Sequence, residues 1–141
     1  MGFIVEHAET YAASIKDVPG ALANKLAALA EAGADLDFVI SRRAPENPGT
    51  GVVFVTPLRG DREIQAGTIA GFTVSNSMHS VRIEGDNRPG IAGELARKIG
   101  AAGINLHGFS AAVIGTKFVI YLSLDSADDA RKAMELMEKT S

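Results

Sequence analysis

Two copies of one pattern run through this chain. Asp17-Val18-Pro19-Gly20 leads into ALANKLAALAEAGADLDF, and Asn87-Arg88-Pro89-Gly90 leads into IAGELARKIGAAGINLHGF. Pro19 and Pro89, Gly20 and Gly90, Ala32-Gly33 and Ala102-Gly103, and Leu36 and Leu106 all share one offset of 70 positions. A fixed period of this length means two copies of one supersecondary unit. The repeat also extends upstream: Gly2-Phe3-Ile4-Val5 precedes the first Pro-Gly much as Gly71-Phe72-Thr73-Val74 precedes the second. The chain therefore divides into a first unit over residues 1–75 and a second over residues 76–141.

Units of this size bury little apolar surface alone, so they are expected to share an interface or to oligomerise. The composition is that of an ordinary soluble protein, 46% apolar and 22% charged. A net charge of −3 leaves no basic footprint for nucleic acid or anionic membrane. The absence of cysteine excludes disulfides, thiolate metal sites and thiol catalysis. No apolar run reaches the ~18 residues of a membrane span, and the first residues lack the basic start of a signal peptide. A cytoplasmic, soluble protein is the expectation.

Each unit reads strand, helix, strand, strand, helix. In the first copy, strand character over residues 10–16 is broken at Asp17-Val18-Pro19-Gly20. Leu22, Leu26 and Leu29 then recur at helical spacing up to Gly33. Strands follow over residues 36–41 and 52–56. In the second copy Val81 and Ile83 alternate with Arg82 and Glu84; Ile91, Leu95, Ile99 and Ala102 mark a helix face that Gly103 ends. Residues 105–114 and 117–124 form a hairpin across Gly115-Thr116, with a type II′ turn. The last helix starts at Ser126 as N-cap, with Asp128 and Asp129 in its first turn and Ala130, Met134 and Met137 as its stripe. Its counterpart over residues 61–70 has Gly67 inside and weak periodicity, so a short or irregular helix is expected. The fold class is α+β: two ferredoxin-like βαββαβ units, each an antiparallel sheet with two helices on one face. No strand follows the last helix, and a spare one stands at residues 2–6. The N-terminal strand is therefore expected to complete the second sheet.

A strand ending in D-x-P-G or N-R-P-G, a helix ending in A-G and a following D-L or I-N-L strand resemble the ACT domain. The resemblance covers both halves, and the duplicated unit looks like the stand-alone tandem ACT proteins of bacteria. It implies a non-catalytic regulatory module without a cofactor. The module would bind a small effector, an amino acid, in the crevice between ACT-like units and signal to an enzyme or regulator partner. It implies as ligand-binding Asp17, Val18, Pro19, Gly20, Ala21 and Leu22 in the first copy, and Asn87, Arg88, Pro89, Gly90, Ile91 and Ala92 in the second. Asn105, at the start of the next strand, is implied as a contact to the effector's polar groups, with Leu106 beside it; Asp35 replaces it in the first copy.

The chemistry of those positions fits. A helix N-terminus presents unpaired N–H groups and the positive end of the macrodipole, which suits a carboxylate. Arg88 could add a guanidinium fork. The second copy is the favoured site, where the Asn87–Ile91 loop faces a neighbouring unit, with the carboxylate on the N–H groups around Gly90 and Ile91, Asn105 on its polar end, and Ile91 and Leu106 bordering its side chain. Each Pro-Gly also fits a helix-entry turn with no ligand. Asn24, one turn inside the first helix, reads either as reaching the crevice or as a surface position. His7, His79 and His107 match no metal-ligand spacing, so no metal is expected. No nucleophile–base pair is recognisable, which argues against an enzyme. A homodimer is expected, through helices or edge strands. The alternative function is a protein–protein interaction module that modulates an enzyme or transcription regulator without a small ligand.

Overall fold

The computed structural model describes residues 2–74 and 79–140. Residues 9–74 form one compact unit, and residues 2–8 with 79–140 form the other. The boundary expected at 75/76 lies outside the described residues.

The unit of residues 9–74 contains β2 (Tyr11–Lys16), α1 (Ala21–Glu31), β3 (Phe38–Arg43), β4 (Thr50–Thr56), α2 (Gly60–Ile69) and β5 (Thr73–Val74). Its antiparallel sheet runs β3-β4-β2-β5. Strand period explains the orientation: Tyr11 and Ala13 on β2 and Val53 and Val55 on β4 are buried. Leu29, Leu58 and Phe72 join them in one core, with Leu22 and Leu26 packed against it. β3 starts later than the residue pattern predicts. Leu36 packs on the core as a connector, and pairing begins where Asp37 N–H meets Thr56 C=O at 2.9 Å.

α2 corrects an expectation. It is a regular ten-residue helix despite Gly67. The missing side chain is what lets it approach: a Cβ on Gly67 would stand 2.8 Å from Leu58 Cδ1 and 3.7 Å from Phe72. Glu63 accepts the Arg59 N–H at 2.8 Å, satisfying one donor at its start. Tertiary packing outweighs weak periodicity here.

The other unit contains β1 (Ile4–Ala8), β6 (His79–Asp86), α3 (Ile91–Ala101), β7 (Leu106–Ile114), β8 (Lys117–Leu124) and α4 (Ala127–Thr140). Its sheet order is β1-β6-β8-β7, the same order as in the first unit with β1 in the place of β5. Ile4 through Ala8 pair in register with Glu84 through Ser80, so the N-terminal strand completes this sheet. Phe3 stands edge-on to Phe118, ring centres 5.3 Å apart. Ile91, Leu95 and Ile99 recur every four residues on α3 and meet Phe118, Ile120, Leu122 and Leu124 of β8, together with Ala130, Ala133 and Met137 of α4. Each fully buried leucine or isoleucine of this cluster stabilises by about 1.5–3 kcal/mol. Ser126 Oγ accepts the Asp129 N–H at 3.0 Å, the expected cap of α4. Gly115 has φ +63° while Thr116 does not have positive φ, which fits the expected type II′ hairpin and excludes type I′.

Candidate functional site

Both Pro-Gly pairs are type II turns. Ala21 N–H donates to Val18 C=O at 3.3 Å, and Ile91 N–H to Arg88 C=O at 3.2 Å. Proline sits at the second turn position, and Gly20 and Gly90 at the third with φ +87° and +80° and ψ near zero. That backbone state is the type II signature and strains any residue with a Cβ. The glycines are therefore explained by the turn itself, and the prolines precede the helices instead of occupying their first turn. Neither helix has a side-chain cap. Because the Ala21 and Ile91 N–H groups close the turns, the first-turn donors left to a ligand are Leu22 and Ala23 in one copy and Ala92 and Gly93 in the other.

At the first loop lies a groove of 630 Å³. One wall is β2, through Ser14, Ile15 and Lys16; another is the face of α1 carrying Ala21, Asn24, Lys25 and Ala28. Val18 and Pro19 of the turn, Thr50 of β4 and Ala70 after α2 complete it. Lys25 Nζ donates across it to Ala70 C=O. Asp17 is held by Arg43 Nε at 2.9 Å. Of the positions expected from sequence, Val18, Pro19 and Ala21 line this groove. Asn24 lines it too, the crevice-facing of its two readings. Leu22 packs on the core instead. Ser14, Lys16, Lys25 and Thr50 were missed. The signal that could have found the α1 members is their spacing: 21, 24, 25 and 28 share one helix face.

The second loop is occupied differently. Arg88 donates to the Glu94 carboxylate in the first turn of α3 and is not poised for an external anion. That hydrogen bond holds the Glu94 carboxyl below the ordinary carboxylate range. Asn87 N–H donates to Thr116 C=O at 2.9 Å, so this loop lies beside the β7–β8 turn. Asn105 and Leu106 are at the other end, since Leu106 pairs with Leu124 whereas Lys117 pairs with Asp86. Seven residues of strand, about 23 Å, separate the two ends. One unit cannot bring Asn105 and the Asn87–Arg88–Pro89–Gly90 loop to one small ligand. Ile91, expected to border the effector, is buried in the core, and Leu106 packs against the same core. Ala92 is half-buried and Asn105 exposed. Asp35, its counterpart, is also exposed.

His7 and His79 come together with Glu135, Glu138 and Arg131 around a 280 Å³ cavity. Among the described residues no group of three or more potential ligands has the arrangement to hold a metal ion. His107 instead meets Asp125, Nδ1 to Oδ1 3.4 Å. No helix among the described residues is long and apolar enough to cross a membrane.

Residues 79–141 match the family model of the ACT domain. This segment is an ACT domain. Its match begins at β6 and omits β1, the strand that completes the ACT sheet from elsewhere in the sequence. Solved structures resemble the whole chain. A protein from Bacteroides thetaiotaomicron is 16% identical with a TM-score of 0.76, over 93% of this chain and 88% of that one. The ligand-free regulatory subunit of aspartate kinase from Thermus thermophilus is 19% identical with a TM-score of 0.66, over 99% and 96%. The corresponding regulatory subunit from Thermus flavus is 19% identical with a TM-score of 0.60, over 96% and 95%. At these identities the likeness is one of fold: two ferredoxin-like units, as the repeat implied. No curated protein matches the sequence.

Proposed function

We infer that this chain is a non-catalytic regulatory module that binds an α-amino acid and passes that state to a partner enzyme or regulator. The observation that carries the reading is the groove where a type II turn delivers β2 into the uncapped start of α1. The ACT domain at residues 79–141 and the fold shared with regulatory subunits of aspartate kinase support it. In this reading Asn24 and Thr50, which line the groove, meet the effector's polar atoms. Ile15, Val18 and Ala28 border its side chain. The first copy is preferred over the second, because Arg88 is already committed to Glu94.

Thermal unfolding in the presence of each of the twenty amino acids tests this. One of them should stabilise saturably, by about 2.7 kcal/mol at a hundredfold excess over its Kd. Asn24→Ala should weaken that ligand roughly tenfold to a hundredfold, the effect of one hydrogen bond to a charged group. A flat panel would overturn the effector reading and favour the interaction module.

Association is part of the proposal. β7 is an edge strand whose Phe109, Val113 and Ile114 are exposed, and β3 is an edge with Val39 and Ile40 exposed. Long apolar edges of this kind template pairing with another chain. A homodimer through such an edge is expected by light scattering, and Val113→Lys should weaken it. A mass of 14.7 kDa independent of concentration would refute it.

A further inference from the structure

The two units close their sheets unequally. Asp17 N–H donates to Gly49 C=O at 3.0 Å, which continues the ladder past the Lys16–Thr50 pair. Main-chain groups of Asp17 thus face β4, and because direction alternates along an antiparallel strand, Ile15 and Ala13 face β4 as well. Ala12, Ser14 and Lys16 face outward. Ala12 meets Thr73 of β5, where β5 ends its pairing. Ser14 and Lys16 have no strand beyond them among the described residues. In the other unit Asn87 N–H to Thr116 C=O sets the same phase. There β1 meets Ser80, Arg82 and Glu84, the last being the counterpart of Ser14.

We propose that the open edge of β2 at Ser14 and Lys16 is a docking site for an extended acidic segment of a partner protein, which adds as a strand. Empty space flanks this edge on both sides: the 630 Å³ groove against α1, and a 330 Å³ hollow reaching Ala12, Ala13 and Gly71. An added strand directs alternate side chains into each. The α1 side has Lys16 and Lys25 as its charged lining with no carboxylate, whereas the hollow on the other side is lined by Ala12, Ala13 and Ala44 and carries Glu46. A strand that alternates apolar and acidic residues fits both, its acidic side chains toward Lys16 and Lys25 and its apolar ones toward the alanines, which keeps its carboxylates away from Glu46. The proposal goes beyond effector binding, although it shares one groove wall with it.

The probe is a fluorescein-labelled, acetylated Val-Glu-Val-Glu-Val-Glu peptide followed by anisotropy, with the full chain. It should bind saturably, and its Val-Lys-Val-Lys-Val-Lys counterpart about tenfold or more weaker. Of two versions N-methylated at alternate amides, one should lose about tenfold, because only one phase faces the edge. Ser14→Pro removes an outward N–H and no bond to β4, so it should leave the fold intact and weaken the peptide about tenfold. If Ser14→Pro does not fold, Lys16→Glu decides, by reversing the charge preference. Lack of saturable binding, or equal binding of both N-methylated versions, overturns the proposal. So does loss of self-association in Ser14→Pro, which would assign the edge to a second copy. The titration reads backbone pairing whether or not an amino acid binds, so this idea and the effector reading can each fail alone.

Discussion

Removing residues 1–7 is expected to destabilise the unit of residues 79–140 by about 3–5 kcal/mol, which sums two apolar side chains, an aromatic pair and part of a ladder. β1 is a structural strand: Phe3 and Val5 pack against the core, and Ile4 through Ala8 pair with β6. Its loss would also turn β6 into an exposed edge. Phe3→Ala alone should cost about 1.5–3 kcal/mol, since the ring is only partly buried. Urea unfolding with amide exchange measures this, and the amides of residues 80, 82 and 84 should lose protection first. Unchanged protection there after deletion would show that β1 contributes nothing.

Phe72→Ala should be the most damaging single change in the other unit, costing about 3–5 kcal/mol. Phe72 is 1% exposed and packs among Leu29, Val53, Val55 and Leu58. It also precedes the two-residue β5, so its anchor holds a strand with little pairing of its own. Calorimetry should show the low-temperature side of the transition moving down, with exchange accelerated in β2 and β4. A loss below about 1 kcal/mol would mean that the surrounding side chains collapse into the space.

The repeat made most of the fold legible, because repeated Pro-Gly, Ala-Gly and Gly-Phe positions mark element boundaries on their own. β8 has the limits expected from alternation, and the GFIV/GFTV match placed β1 at a sheet it does not adjoin in sequence. α2 was less legible, since what makes it a helix is the fit of Gly67 against Leu58, a contact that sequence spacing does not encode. The site was legible only in part. The two turns could be found, but not that Arg88 would spend its charge on Glu94, nor that Asn105 would stand at the far end of β7. Helix spacing could have found the α1 face of Ala21, Asn24, Lys25 and Ala28, whereas Lys16 of β2 and Thr50 of β4 join it only through the packing of the sheet on α1.

β1 has a consequence for the order in which the chain acquires structure. On the ribosome, residues 4–8 are made before any part of β6, the strand they pair with. Residues 9–74 are continuous and can close their sheet as soon as β5 emerges. Until residues 80–84 follow, β1 stays unpaired, carrying Ile4 and Val5 in the open. A segment made early is thus taken up by one made only after the whole of residues 9–74, and the nascent chain is most vulnerable to misassembly in that interval.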